Sequence, residues 1–307
     1  MYFSFINLLY LSTVGLAVGA TPRAKVLTVV SADGTEIYAE AIGDHSKPHI
    51  IFAHGVAATT LAFDSLFTDP KLYENLYMAN VRFDTRGHGR SGKPTTLADY
   101  DTARYAQDVA ALVKGFRLKK PFFAGCLIYF CSSAIGADIA TNLPHPVPFS
   151  GLIWFDALPY LGDIINQIAL PAIISLLPGF TTPAGLTNST LAVDTRITYA
   201  NGLSVRDSSV PFSVKAQWVG SAAYLPPALG ALVLGRTQDP TALFAAGEAG
   251  WPLLILHGRQ DLFVNGTLLI EEMAPHFRDV EAHLIGNAEH VCFYDKEEIV
   301  AGHLLGL

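Results

Sequence analysis

Short apolar runs alternate with longer segments whose apolar residues recur three and four positions apart, and this rhythm holds from residue 26 almost to the end of the chain. Residues 26–30 and 35–41, split by Asp33-Gly34, predict an opening hairpin, because Asp-Gly fills the positive-φ corner of a tight turn. Residues 49–53, 81–83, 121–125, 151–155, 252–256 and 281–285 predict further strands. Most are apolar throughout rather than alternating, the mark of strands covered on both faces. Residues 99–116 predict a helix with Tyr105, Val109, Leu112 and Val113 along one side, and 134–140 a second helix built from small residues. The alternation points to an α/β class, a mostly parallel central sheet with helices on both faces.

Between 156 and 250 the rhythm changes. The stretches 161–180 and 222–235 are apolar, punctuated by proline and without strand alternation. Asp163, Asn166, Gln167 and Pro171 break the first, leaving too short a run for a membrane span. Its position after a strand predicts an inserted helical cap walling a lipophilic pocket. The expected organisation is a signal segment at 1–20, the first part of the core at 24–157, the cap at 158–250 and the second part of the core at 251–307. No internal repeat or low-complexity linker interrupts this plan.

Composition narrows the partners. Half of the 307 residues are apolar and 15% are charged, which suits a large buried core, and a net charge of −7 argues against nucleic acid. A small lipophilic substrate or ligand fits this balance. The first twenty residues carry no charge, and an apolar run ends in Val18-Gly19-Ala20, a pattern suited to signal cleavage and secretion. The lack of Lys or Arg ahead of that run keeps open a cytoplasmic or membrane-anchored chain. Asn188-Ser189-Thr190 and Asn265-Gly266-Thr267 are glycosylation triplets compatible with secretion. Three cysteines make no disulfide framework, so buried thiols are expected, with a Cys292 pairing as the second reading.

Candidate chemistry collects where strands end. His54-Gly55-Val56 follows the third predicted strand, and residues 84–92 read Asp-Thr-Arg-Gly-His-Gly-Arg-Ser-Gly. The latter is expected to shape a loop, with His54 and His88 holding loops rather than moving protons. His257-Gly258-Arg259-Gln260-Asp261 follows strand 252–256, and Gly286-Asn287-Ala288-Glu289-His290 follows 281–285. Ligands of open α/β sheets sit at the carboxyl ends of the strands, where Asp261 and His290 would both project. Acyl transfer needs a base, an acid that orients it, and donors for the developing oxyanion. His290 is the candidate base and Asp261 the candidate acid, with Asp156 as second candidate. The ten histidines show no ligand-like spacing with cysteines or carboxylates, so neither a metal nor a cofactor is expected.

Together these motifs, over nearly all of the chain from residue 26, resemble the α/β-hydrolases of the esterase, perhydrolase and epoxide-hydrolase type. The order turn, Asp, His matches that superfamily. The resemblance implies that the backbone N–H of Val56, after His-Gly, serves the oxyanion hole. It also implies a Gly-x-nucleophile-x-Gly turn opening at Gly125, and that frame puts Leu127 at the nucleophile position, followed by the bulky Ile128 and Tyr129. No carboxylate occurs from 121 to 137, so an Asp nucleophile of the epoxide-hydrolase or dehalogenase kind is absent and a serine-type ancestry is expected.

Leu127 cannot attack a carbonyl. Cys126, with Ala124 two residues before it, and Ser132, with Ala134 two after it, are weaker substitutes. Seven residues, 126–132, occupy a place where four would complete the motif. Ile-Tyr-Phe-Cys-Ser back-translates to a pyrimidine-rich tract ending in AG, as at the end of an intron, so a misjoined transcript is one reading of the turn. A pocket kept without chemistry is the other. The expected function is hydrolysis of a lipophilic ester or related acyl substrate by a nucleophile-His-Asp mechanism. The alternative is an inactive protein of the same fold that binds a small apolar ligand or a protein partner.

Overall fold

A computed structural model describes residues 23–75, 80–126, 132–182, 188–205 and 210–307. The expected signal segment 1–20, Leu127 and the rest of the turn up to Cys131 lie outside the described residues. Eight strands form one sheet: β1 (Lys25–Val30), β2 (Glu36–Ala41), β3 (Ile50–Ala53), β4 (Asn80–Phe83), β5 (Phe122–Cys126), β6 (Gly151–Phe155), β7 (Leu253–Gly258) and β8 (Val280–Ile285). Their order is β1-β2-β4-β3-β5-β6-β7-β8. β2 runs antiparallel to both β1 and β4, while every neighbouring pair from β4 to β8 is parallel. β3, β6 and β7 are buried along their whole length, as their unbroken apolar composition requires. The opening hairpin turns at Gly34, whose φ is +86°, with the Asp33 carboxylate accepting from the Thr35 N–H at 3.0 Å.

Several boundaries differ from the sequence reading, each for a local reason. The first long helix spans Thr102–Phe116 rather than starting at 99, because the Asp101 side chain takes the cap by accepting from the Arg104 N–H. Asp99 instead closes a capping box with Thr96 on a separate short 3-10 turn, Leu97–Tyr100. Tyr105, Val109 and Leu112 are buried as expected, while Val113 is half-buried. The second helix covers Ile135–Asn142. β7 runs two residues past the predicted end, because His257 and Gly258 still pair with Leu284 and Ile285 of β8.

Gly125 has a packing reason to be glycine. A Cβ there would lie 2.5 Å from the Ser133 Cα and 2.7 Å from its nitrogen, so the chain entering the next helix returns directly against the strand. That tight reversal leaves no room for a side chain on β5 at this point.

Between β6 and β7 the chain is helical, with helices Pro171–Thr181, Ser189–Gly202, Phe212–Ala223, Leu229–Leu234 and Thr241–Glu248 among the described residues. The apolar stretch 161–180 divides into a short helix, Ile165–Ile168, and a helix that begins at Pro171. No helix among the described residues is long and apolar enough to cross a membrane. Buried Arg196 ties this layer together: its guanidinium donates to the carbonyls of Leu225, of Pro226 at 2.7 Å and of Pro227 at 3.0 Å. Buried Asp138, on the helix after β5, accepts from Arg236 at 3.1 Å and from Gln238 at 2.5 Å, joining the helical segment to the sheet layer.

The segment 84–92 forms a polar knot after β4. Asp84 is buried and accepts from the backbone N–H of Thr60 at 2.8 Å and of Arg90 at 2.9 Å, and from Arg90 Nε at 3.0 Å. Gly89, with φ of +45°, is required because a Cβ would sit 2.3 Å from Asp84 Oδ2. Arg86 holds both oxygens of Asp108, at 2.7 and 2.6 Å, and reaches Asp33 at 3.0 Å, so the hairpin, the knot and helix Thr102–Phe116 share one buried cation. His54 and His88 belong to the same packing. His54 Nε2 accepts from the Thr85 N–H at 3.1 Å, and His88 Nδ1 lies 3.0 Å from the Arg86 carbonyl.

Candidate active site

Asp261 follows β7 and His290 follows β8, so both project at the carboxyl edge of adjacent parallel strands. The two residues meet there: Asp261 Oδ2 accepts from His290 Nδ1 at 2.8 Å, with both side chains buried. The turn after β7 holds the carboxylate in place, because Oδ1 accepts from the backbone N–H of Phe263 at 2.7 Å and of Val264 at 3.2 Å. Gly258 makes the approach of the two loops feasible. A Cβ at that position would be 2.0 Å from the Glu289 carbonyl oxygen, so the loop carrying His290 lies directly on the end of β7.

Asp156 clamps the site from below. It stands just after β6 with φ of +46°, and its oxygens accept the Gly258 N–H at 2.6 Å and the Cys292 N–H at 3.1 Å. Its carboxylate thus ties β7 and the His290 loop to β6 instead of meeting His290, the role for which it was second candidate. His257 lies on the other side of Asp261, with Nε2 3.2 Å from Asp261 Oδ2 and 3.2 Å from the Val264 carbonyl.

The electrostatics follow from burial and charge. Burial alone would push His290 down, but the Asp261 carboxylate outweighs it and holds the imidazole above its ordinary value. Burial likewise raises Asp261, yet the opposing charge of His290 and hydrogen bonds from His257 and His290 keep its carboxyl well below the usual range. For Asp156 burial prevails and the carboxyl rises. With Nδ1 committed to Asp261, neutral His290 presents its lone pair at Nε2.

Nε2 faces the buried Tyr199 hydroxyl at 3.3 Å. Tyr199 comes from helix Ser189–Gly202 and stacks on Phe263 at 4.6 Å between ring centroids, and Phe263 meets the His290 ring edge-on at 5.0 Å. The sequence reading missed both aromatic walls. Phe263 had a signal in its spacing, two residues after Asp261. Tyr199 had none.

The other expected members stand at the same edge. Val56 is buried just beyond β3, followed by Ala57 at φ of +61°, a strained conformation for a residue with a side chain. Cys126 is the last residue of β5, and its buried thiol points toward the Ala53 carbonyl at 3.9 Å. Ser132 is also buried, and its hydroxyl donates to the Cys126 carbonyl at 2.6 Å. Among the described residues, the hydroxyl that reaches His290 Nε2 belongs to Tyr199, and neither Cys126 nor Ser132 bonds to the imidazole. Cys292 carries a free thiol that burial pushes well up, with its sulfur 3.5 Å from the Leu256 carbonyl, so the considered Cys292 disulfide does not form.

Asp156, His257 and Asp261 lie close enough together to surround a cation, but a metal would have to displace the N–H groups that already occupy these carboxylate oxygens. A cavity of about 570 Å³ opens elsewhere, between Thr59 and Leu61, the 84–92 knot and helix Phe212–Ala223. Neither His290 nor Asp261 lines it, so it is a separate feature from the His290–Asp261 pair.

No family model matches the chain. Over 121 residues it is 35% identical to a non-heme chloroperoxidase from Streptomyces lividans, a match spanning 39% of this chain and 40% of the length of that curated relative. Among solved structures, a proposed aryl esterase from Burkholderia cenocepacia superposes with a TM-score of 0.78 at 21% identity, covering 92% of this chain and 97% of its own. An esterase from Rhodococcus sp. ECU1013 gives 0.75 at 20% identity, with 91% and 96% covered. The 2-hydroxy-6-oxo-6-phenylhexa-2,4-dienoate hydrolase of Rhodococcus sp. strain RHA1 gives 0.69 at 16%, with 92% and 99% covered. The chain has the α/β-hydrolase fold, as its strand order and mostly parallel sheet already indicated.

Proposed function

We propose that this protein is a hydrolase acting on a lipophilic carboxylic ester or related acyl substrate, with His290 as general base and Asp261 orienting it. The observation that carries this reading is the buried 2.8 Å contact between His290 Nδ1 and Asp261 Oδ2. An imidazole held by Nδ1 offers Nε2 to the proton of an attacking hydroxyl or thiol, and the anionic carboxylate stabilises the imidazolium that forms. As the nucleophile bonds to the acyl carbon, the oxyanion would take a hydrogen bond from the Val56 N–H. Collapse expels the alcohol, which takes the proton from Nε2. Water then releases the acid by the same route in reverse. In this reading the segment 158–250 is the cap, and Tyr199 and Phe263 wall the acyl group.

The attacking group is the missing member. In the sequence Leu127 stands where the attacking residue is expected, and the Ser132 hydroxyl is bonded to the Cys126 carbonyl. Those two observations favour a second reading, a protein that keeps the fold and pocket to bind a small apolar ligand or a protein partner. Hydrolysis of a short-chain aryl ester separates the two. Turnover that falls by about 100-fold or more in His290→Ala supports the enzyme, on the scale of lost general-base catalysis. A folded parent protein without turnover supports the binder. Sequencing the transcript across 126–132 tests the turn itself: a message encoding those seven residues as written removes the splice-junction explanation.

A further inference from the structure

We propose that Glu281, His283 and His303 form a surface site for a divalent transition-metal ion of the zinc or copper kind. Glu281 and His283 are two apart on β8, the outermost strand of the sheet, so their side chains leave the same face. His303 joins them from the last turn of helix Glu297–Leu305. One carboxylate oxygen already gathers both rings: Glu281 Oε1 lies 2.6 Å from His283 Nε2 and 3.3 Å from His303 Nδ1. The two imidazoles lie face against face, 3.9 Å between centroids with a 37° tilt, and the three ligand atoms fall within 4.8 Å of one another.

A tetrahedral zinc ion with ligands at about 2.0–2.2 Å sets them roughly 3.3–3.6 Å apart. The present separations, 2.6 and 3.3 Å from Glu281 Oε1 and at most 4.8 Å overall, bracket that arrangement. Two imidazoles and one carboxylate form a borderline donor set that suits Zn(II), Cu(II) or Ni(II), whereas Ca(II) and Mg(II) prefer all-oxygen shells. Side-chain exposures of 63%, 37% and 25% for Glu281, His283 and His303 leave an open side where water completes the coordination. Without metal, protons bridge the same three groups, so the ion replaces a shared hydrogen bond rather than filling a void.

The location gives the ion a consequence. It would clip the C-terminal helix to β8, the strand that leads into the His290 loop. An ion bound only by the folded chain raises its melting temperature as its concentration exceeds the dissociation constant. This proposal is independent of the acyl-transfer reading.

Calorimetric titration of the tag-free full-length protein with ZnCl2, and electron paramagnetic resonance with CuCl2, test it directly. One equivalent is expected to bind, with copper hyperfine structure from two nitrogens and a metal-dependent rise in melting temperature. His283→Ala and His303→Ala are each expected to weaken binding by more than the about 10-fold to 100-fold cost of losing a second-shell partner. Glu281 is exposed and the two histidines are only half-buried, so the metal-free variants should melt close to the parent. Absence of binding, or unchanged affinity in the His283→Ala/His303→Ala double variant, overturns the assignment.

Discussion

Asp261→Asn reverses the polarity of the candidate site while nearly preserving its shape. Oδ1 accepts two backbone N–H groups, from Phe263 and Val264, so the amide oxygen is obliged to stay on that side. The amide nitrogen then faces His290 Nδ1 and His257 Nε2, where a shared acceptor stood before. His290 must present its lone pair at Nδ1 and carry its proton on Nε2, the tautomer that cannot act as base. Hydrogen bonds to a charged group contribute about 1.5–3 kcal/mol each, so losing one and weakening the other costs about 2–4 kcal/mol of stability. Turnover, where the parent shows it, should fall by about 10⁴, the scale of a tautomer-reversing substitution.

The pH dependence carries the sign. Against the downward pull of burial, Asp261 holds His290 above its ordinary value of about 6.5. A raised histidine contributes stability that is fully present below the unfolded value and lost as pH rises through the folded one. The acid limb of turnover in the parent therefore lies above about 6.5, and His290 in the variant titrates below it. Melting temperatures of parent and variant should differ more near about pH 6 than near about pH 9. Thermal melts across that range, with imidazole titration by nuclear magnetic resonance, read this without requiring activity. A variant whose melting profile parallels the parent at every pH, and whose His290 titrates as before, would mean that Asp261 does not hold the imidazole charged.

Other consequences follow from single contacts. Gly125→Ala drives a Cβ to within 2.5 Å of the Ser133 backbone, which would have to shift, so urea denaturation should show a loss toward the upper end of the about 1–3 kcal/mol typical of overpacking. Asp84→Ala strands the buried Thr60 N–H and frees that of Arg90, while the partly exposed Arg90 guanidinium keeps Glu40 and Thr60 Oγ1, so a loss of about 1–3 kcal/mol is expected in the same assay. The Cys292 thiol, buried and raised well above its ordinary value, should resist alkylation in the native protein and react only after unfolding, as peptide mass mapping would show.

Much of the architecture is legible in the chain's apolar pattern. Apolar runs such as Ile50–Ala53 and Gly151–Phe155 predict buried strands because a fully covered strand has no polar face to display. The pairing of His290 with Asp261 was legible from chain order, since each follows an apolar strand and parallel neighbours deliver their carboxyl ends to one edge. Local competition hid the finer boundaries. Asp99 and Asp101 are both competent helix caps, and only the observed geometry shows that Asp101 receives the Arg104 N–H.

Local rules alone fix strand composition, turn glycines and the chemical groups placed just after strand ends. Which distant groups converge is settled by packing between elements. Tyr199 reaches His290 from 91 residues away, and Asp156 clamps the Cys292 N–H across 136. Glu281 and His283 stand two apart on β8, a spacing not read as ligand-like, and it is the packing of helix Glu297–Leu305 that brings His303 to them. Contacts between elements follow from packing and burial summed over the whole core, and no short window of residues encodes that sum.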